Sequence, residues 1–449
     1  MMPYEGEFAG YRSLRRIAET ERVQQLLRRA RVFQTASSVP LAKPSIPPAP
    51  PQSLPEFTVA IDGSYAEVDV RNGYPGAKVG YVTVASVLLN LKELDRLDEQ
   101  RPIDPIEFRR TEEAATVDAA LPGSNVVTRD HKSARDSFRE AVFDVLHDVI
   151  VDEEDRSPLL ETYEALLALK PQNRPQVCPY DHEGCSHHFN VQPGVTSCDC
   201  ELRRPIYSTD ALRIHERFLD IGTNGEAFGL VMQLCERILL IHLLRCFERR
   251  GWLDKVGKLA FFLDGPLAVF GPPAWLSAAI NTELKRLNTQ VRQKTGNDLV
   301  ILGVEKTGNF VTHFEEIDRT ETGEAYFPSG TYMLLTDRYI KERVIFSDST
   351  KRYGVDTYFG RKFFYKTKSG ARIVASIPFL TEDQDNITSD NVSLYPQFGT
   401  ACALLDKLVT SRYPNALSPL VSAHAQAAIP LHLGAKVLQQ LARALMRQQ

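Results

Sequence analysis

Apolar residues recur along this chain in two rhythms. A spacing of three and four predicts helices over residues 11–33, where Leu14, Ile17, Val23, Leu26 and Leu27 share a side, and over residues 134–150, where Phe138, Val142, Leu146 and Ile150 fall four apart. Runs rich in β-branched residues predict strands in FTVAIDGSYAEVDV and YPGAKVGYVTVASVLLNL, separated by Asn72-Gly73 and Pro75-Gly76 turns, and again in KLAFFLDGPLAVFG and LVILGVEKTG. Between Phe228 and Phe247 almost every position is apolar, so that helix must be buried. Thr223 and Glu226 are spaced as a capping box at its start, and Arg249, Arg250 and Gly251 close it. Pro272 and Pro273 open a helix carrying Trp275, Ile280, Leu284, Leu287 and Val291, which stops at Gly296. RKFFYKTKSGARIVASIPF reads as a hairpin turning at Ser369-Gly370, and 399–449 as helices broken by SRYPNALSP. The order of strands, helix, strand, helix, strand, late hairpin and helices implies an α/β fold with a mixed sheet flanked by helices.

Polar and proline-rich stretches divide the chain. Residues 36–56 are too dense in proline for helix or ladder and form an extended linker. They separate a basic helical arm, residues 1–35, from a body over 57–435 and a C-terminal amphipathic helix over 436–449, with Val437, Leu438, Leu441 and Leu445 on one side. Residues 170–207 form an insertion rich in Pro, Cys and His. With 449 residues, 43% hydrophobic and 24% charged, the composition is that of an ordinary globular protein. Lys and Arg number 53 against 57 Asp and Glu, a net charge of -4, which argues against a passive nucleic-acid coat but leaves room for a local basic groove beside acidic metal ligands. No run approaches the ~20 apolar residues of a bilayer span, since the densest, Ile238 to Leu244, is broken by His242, so no membrane partner is expected. The start, MMPYEGEFAG, lacks the layout of a secretory leader, and seven cysteines do not make a disulfide framework; a reducing, cytoplasmic setting is expected.

Candidate chemistry begins with Asp62 and Asp264. Each ends an apolar strand and precedes a glycine, the way a sheet presents carboxylates to a hard cation, although Asp-Gly is also an ordinary turn signal. Glu236 lies in the middle of the apolar helix, where an unpaired carboxylate is costly. It needs Arg237 or Arg245 as partner, a solvated stripe, or a shared metal site with the two aspartates; Glu248 is the alternative acidic position on that helix. Cys178, Cys185, Cys198 and Cys200, spaced C-x6-C-x12-C-x-C with His182, His187 and His188 between them, read as a structural Zn²⁺ site. Cys235, Cys246 and Cys402 lie in apolar helical contexts and read as core.

AIDGSY at 60–65, FFLDGPL at 261–267 behind a Glu-bearing helix, GVEKTG at 303–308, TDR at 336–338 and YPNALSPLVSAHAQAAI at 413–429 follow one another as in the NurA nucleases, which this chain resembles over roughly residues 55–435. The resemblance implies an RNase-H-like core and a homodimer. It also implies Mn²⁺- or Mg²⁺-dependent DNA cleavage, as a 5′ to 3′ exonuclease or single-strand endonuclease, alongside a HerA-type hexameric ATPase in end resection, repair or anti-phage defence. By the same resemblance Asp62 and Asp264 are metal ligands, Glu236 the acidic helix residue and His424 a late histidine near the metal. Lys306 and Tyr358 become substrate contacts, and Asp337 supports the ligands. Two ions about 4 Å apart would serve in-line attack on a phosphodiester, and the Cys/His insertion is an addition the family does not need. The rival reading is a non-catalytic DNA-binding or ATPase-regulating subunit of the same fold, and a chain that keeps Asp62, Asp264 and His424 together speaks against it.

Overall fold

The computed structural model describes residues 11–30, 41, 43–50, 53–70, 76–94, 112–128, 131, 133–170, 176–180, 188–198, 203–319, 325–380, 391–410, 413, 415–429 and 437–440. The arm is two helices, α1 (Arg12–Glu19) and α2 (Glu21–Arg29), broken at Thr20, whose backbone is extended. No residue of either helix is buried, and Leu14, Ile17, Leu26 and Leu27 face solvent. The linker touches the body at Ser45, which exchanges backbone hydrogen bonds with Tyr332.

The two β-rich runs that open the body become β1 (Phe57–Asp69) and β2 (Lys78–Asn90), antiparallel from Phe57 opposite Asn90 to Asp69 opposite Lys78. Their connection, with Asn72, Gly73 and Pro75, lies outside the described residues. β3 (Glu112–Pro122), for which the apolar pattern predicts no strand, then pairs antiparallel with β2. As an outer strand it buries Val117 and Leu121 and exposes Glu113, Ala114, Ala115 and Thr116, so it carries almost no alternation to read. Helices α3 (Ala134–Asp148) and α4 (Leu159–Leu167) precede the insertion, which forms two short antiparallel pairs, Gln176–Val177 with His188–Phe189 and Val195–Ser197 with Pro205–Tyr207.

The long helix α5 (Gly225–Arg249), β4 (Leu259–Asp264), α6 (Leu276–Thr295) and β5 (Val300–Glu305) form the α/β center. β1, β4 and β5 are parallel neighbours, with Ile61 beside Leu263 and Asp264 beside Val304. After α7 (Asn309–Ile317), strands β6 (Thr331–Leu334), β7 (Gly360–Lys366) and β8 (Arg372–Pro378) complete an eight-stranded mixed sheet of order β6-β7-β8-β5-β4-β1-β2-β3 among the described residues. Strand alternation sends Val59, Ile61, Phe261, Leu263 and Ile301 under α3, α4, α5 and α6. It sends Ala60, Ala260, Phe262 and Leu302 to the opposite face, under α8 (Phe398–Leu408) and α9 (Ser418–Ala427).

α5 is long and apolar enough to pass for a bilayer span by length and hydropathy, and in the fold it is the buried central helix that the sequence predicts. The capping box expected at its start does not form. Glu67 of β1 takes its place, accepting from Thr223 Oγ1 at 2.6 Å and from the Asn224 N–H at 2.7 Å, while Glu226 points to Arg217. At the C-terminus only residues 437–440 are described; Gln439 donates to the Asp69 carbonyl and Tyr81 to that of Leu438.

Candidate active site

Parallel register fixes the first pair of carboxylates. Because Ile61 stands beside Leu263, the next residues, Asp62 and Asp264, are neighbours on adjacent strands. Both share the alternation of Ala60 and Phe262 and therefore face α9. Asp62 is 1% exposed, whereas the Asp264 side chain is 31% exposed, so the pair lies at the rim of the sheet with one member reaching solvent. Lys306, one residue past β5, places Nζ 2.9 Å from Asp62 Oδ2 and 2.9 Å from Asp264 Oδ1. The contact to Asp264 is off the hydrogen-bonding direction, which leaves that oxygen buried and without a hydrogen bond. His424, on α9, brings Nδ1 to 3.2 Å from Asp62 Oδ2 and is largely exposed.

These charges act on one another. Burial, and next the neighbouring Asp264, push the Asp62 carboxyl above its ordinary range, against the pull of Lys306 and His424. Burial alone would lower the Lys306 ammonium, but Asp264 and Asp62 outweigh it and raise its pKa, so it stays charged.

Glu236 approaches from the other face. Gly63 has the opposite alternation to Asp62, and a Cβ there would fall 2.7 Å from Glu236 Oε1 and 2.7 Å from Met232 Cγ. The glycine opens the gap through which the helix carboxylate reaches the strand. Burial pushes Glu236 up to about 8; Arg237 opposes this, and Asp62 and Asp264 add to it. The Arg237 partner that the sequence left open is real: Nη1 donates to Glu236 Oε2 at 2.6 Å. The same guanidinium donates to three carbonyls of the segment after β4, those of Asp264, Pro266 and Ala268, each at 3.2 Å. This second role was not legible in the sequence, because it depends on where a loop's carbonyls point.

Asp62, Asp264, Glu236, Lys306 and His424 therefore come together. Glu248 does not join them; it takes a bidentate pair from Arg286 at 2.6 and 2.7 Å and a third hydrogen bond from Gln290. Tyr358 stands against Phe270, its hydroxyl 3.3 Å from that of Tyr353, beside a buried Glu305–Lys362 pair. Asp337 accepts from the Tyr353 N–H and pairs with Lys341 at 2.8 Å, which makes it a loop anchor. In the insertion Cys178 and Cys198 are buried with their sulfurs 3.4 Å apart, while Cys185, Cys200, His182 and His187 lie outside the described residues and His188 is exposed.

Fold and site together define an α/β protein with an open-rimmed carboxylate cluster at the ends of central parallel strands. The NurA domain model matches residues 198–429, over half of the chain, and the chain belongs to that family. The match includes Glu236, Asp264, Lys306 and His424; β1 with Asp62 lies before it. Among solved structures the chain is similar to the NurA nuclease from Sulfolobus solfataricus, at 10% identity over 90% of this chain and 88% of that one, with a TM-score of 0.34. It is also similar to a second structure described as NurA, at 11% identity over 89% and 90%, with a TM-score of 0.30. No curated protein matches.

Proposed function

We propose that this protein is a divalent-metal-dependent DNA nuclease of the two-metal-ion type, with Asp62, Asp264, Glu236 and His424 as ligands. The observation that carries the reading is the convergence of three carboxylates from β1, β4 and α5. The donors fit Mg²⁺ or Mn²⁺: hard oxygens, an Asp264 oxygen without a hydrogen bond, and two buried acids whose raised pKa values a cation would relieve. Such ions supply Lewis-acid stabilisation of a phosphodiester and a nucleophile drawn from water at neutral pH. The chain's own residues do the rest. Arg237 holds Glu236 in place, Lys306 offers a charged ammonium to a phosphate oxygen, and His424 sets an imidazole at the solvent side of Asp62. The β3-β2-β1-β4-β5 order, an antiparallel meander followed by parallel strands, supports an RNase-H-like core. Family membership supports a homodimer and a HerA-type ATPase partner in DNA-end processing or anti-phage defence within the cytoplasm.

Purified Asp62→Asn and Asp264→Asn are expected to lose at least a thousandfold of Mn²⁺-dependent cleavage of linear DNA while keeping the wild-type circular dichroism; activity within tenfold of wild type would sink the assignment. A second reading, a non-catalytic DNA-binding or ATPase-regulating member, draws on the Lys306 ammonium, which stands where a cation would. It predicts no cleavage by the wild type on linear or circular DNA in the presence of Mn²⁺.

The insertion we assign to one structural Zn²⁺ held by Cys178, Cys185, Cys198 and Cys200. The 3.4 Å between two buried thiols is too long for a disulfide and near the ~3.8 Å that tetrahedral Zn–S bonds of about 2.3 Å would set.

A further inference from the structure

Beyond Glu236 on α5, a second group of ligand-type side chains gathers away from Asp62 and Asp264. His242 and Cys246 are four residues apart and so share one side of the helix. The loop between α3 and α4 brings Asp155 to that side. A ring nitrogen of His242, Cys246 Sγ and a carboxylate oxygen of Asp155 all lie within 4.8 Å of one another. His242 is fully buried. Its Nδ1 is 2.9 Å from Thr162 Oγ1, but Nε2 has no hydrogen-bond partner. Buried polar atoms rarely stay unpaired without a reason. Burial holds the imidazole down at about 4, so at neutral pH the ring is uncharged and able to ligate. Neutral imidazole, thiolate and carboxylate make a donor set of mixed softness, suited to Zn²⁺ and its neighbours rather than to Mg²⁺.

We propose that Asp155, His242 and Cys246 form a site for a single Zn²⁺-like transition-metal ion, which ties the α3–α4 loop to the central helix. Without metal, the Cys246 thiol donates to Asp155 Oδ2 at 3.3 Å, Ser157 Oγ donates to the same oxygen, and Arg249 supplies the positive charge, its Nε 2.8 and 3.1 Å from the two Asp155 oxygens and its Nη2 2.5 Å from Oδ2. Metal entry would replace the Cys246 and Arg249 contacts and leave the Ser157 hydrogen bond. The thiol gives its proton to solvent, the sulfur and the carboxylate turn to the ion, and Arg249 keeps Glu161, already 3.7 Å from its Nη1, as its counter-ion. The fourth position is left to water. Thr162 fixes the ring through Nδ1, the outer hydrogen bond by which a ligating histidine is usually oriented.

The test is Co²⁺ titration of the full-length protein with Cys178, Cys185, Cys198 and Cys200 all changed to Ser, followed in the near ultraviolet, where only cobalt bound to thiolate gives a charge-transfer band. Co²⁺ on the Asp62 cluster is silent there. One equivalent is expected to give a single-thiolate band that Cys246→Ser removes, with His242→Gln weakening Co²⁺ binding at least tenfold. A folded quadruple variant with no such band overturns the proposal. Should that variant not fold, the comparison is made between wild type and Cys246→Ser: a band reduced in Cys246→Ser supports the site, and an undiminished band overturns it.

Discussion

At Gly63 a missing side chain decides how close a buried carboxylate comes to β1. Gly63→Ala would force Glu236 and Met232 aside, at a cost of about 1–3 kcal/mol, typical of overpacking, read by urea denaturation. With Glu236 displaced, Mn²⁺ affinity by calorimetry is expected to fall at least tenfold. A pH effect belongs to His215, buried beside Asp210 and Arg139. Burial, against the pull of Asp210, holds its pKa at about 4 instead of the ordinary 6.5. The folded ring thus stays neutral while the unfolded one takes a proton, so stability falls as the pH drops from about 6.5 to about 4, by on the order of 3 kcal/mol at most. His215→Gln is expected to flatten that stretch of a pH-stability curve. Asp62 and Asp264 stood out in the sequence because each acid ends an apolar strand and precedes a glycine, a pattern that serves turns as well as ligands and gains weight from occurring twice. Glu236 stood out because its neighbours are apolar. The double ion pair of Lys306 did not, since it depends on the alignment of β5 with β4, and nothing near Tyr358 or Asp337 in the sequence tells that they turn toward Tyr353 instead.

Among elements, the start of α5 separates two ideas of how a helix is capped. Glu67 satisfies the backbone there from a different strand, so Glu67→Ala is expected to cost about 1–2 kcal/mol by chemical denaturation, and Glu226→Ala close to nothing. A local capping box would give the reverse. Sequence periodicity located β1, β2, β4, β5, the β7–β8 hairpin and α5, all elements whose apolar positions are packed on one or both sides. It missed β3 because a strand at the sheet's border, exposed over most of its length, has little pattern to display.

For the whole molecule, the sheet is a partition: α5 and its companions cover one side, α8 and α9 the other, and the carboxylates meet at the ends of the central strands between them. Helices α1 and α2 of the arm take no part in either layer. Removal of residues 1–30 is expected to leave the thermal midpoint unchanged within error, since neither arm helix buries a residue. Arg237 has the opposite standing. One guanidinium grips Glu236 and hangs the chain leaving β4 by three carbonyls. The acid on the helix and the acid at the strand end are thereby joined to one pivot. Replacing Arg237 would release both at once, the Glu236 carboxylate and the loop that begins at Asp264.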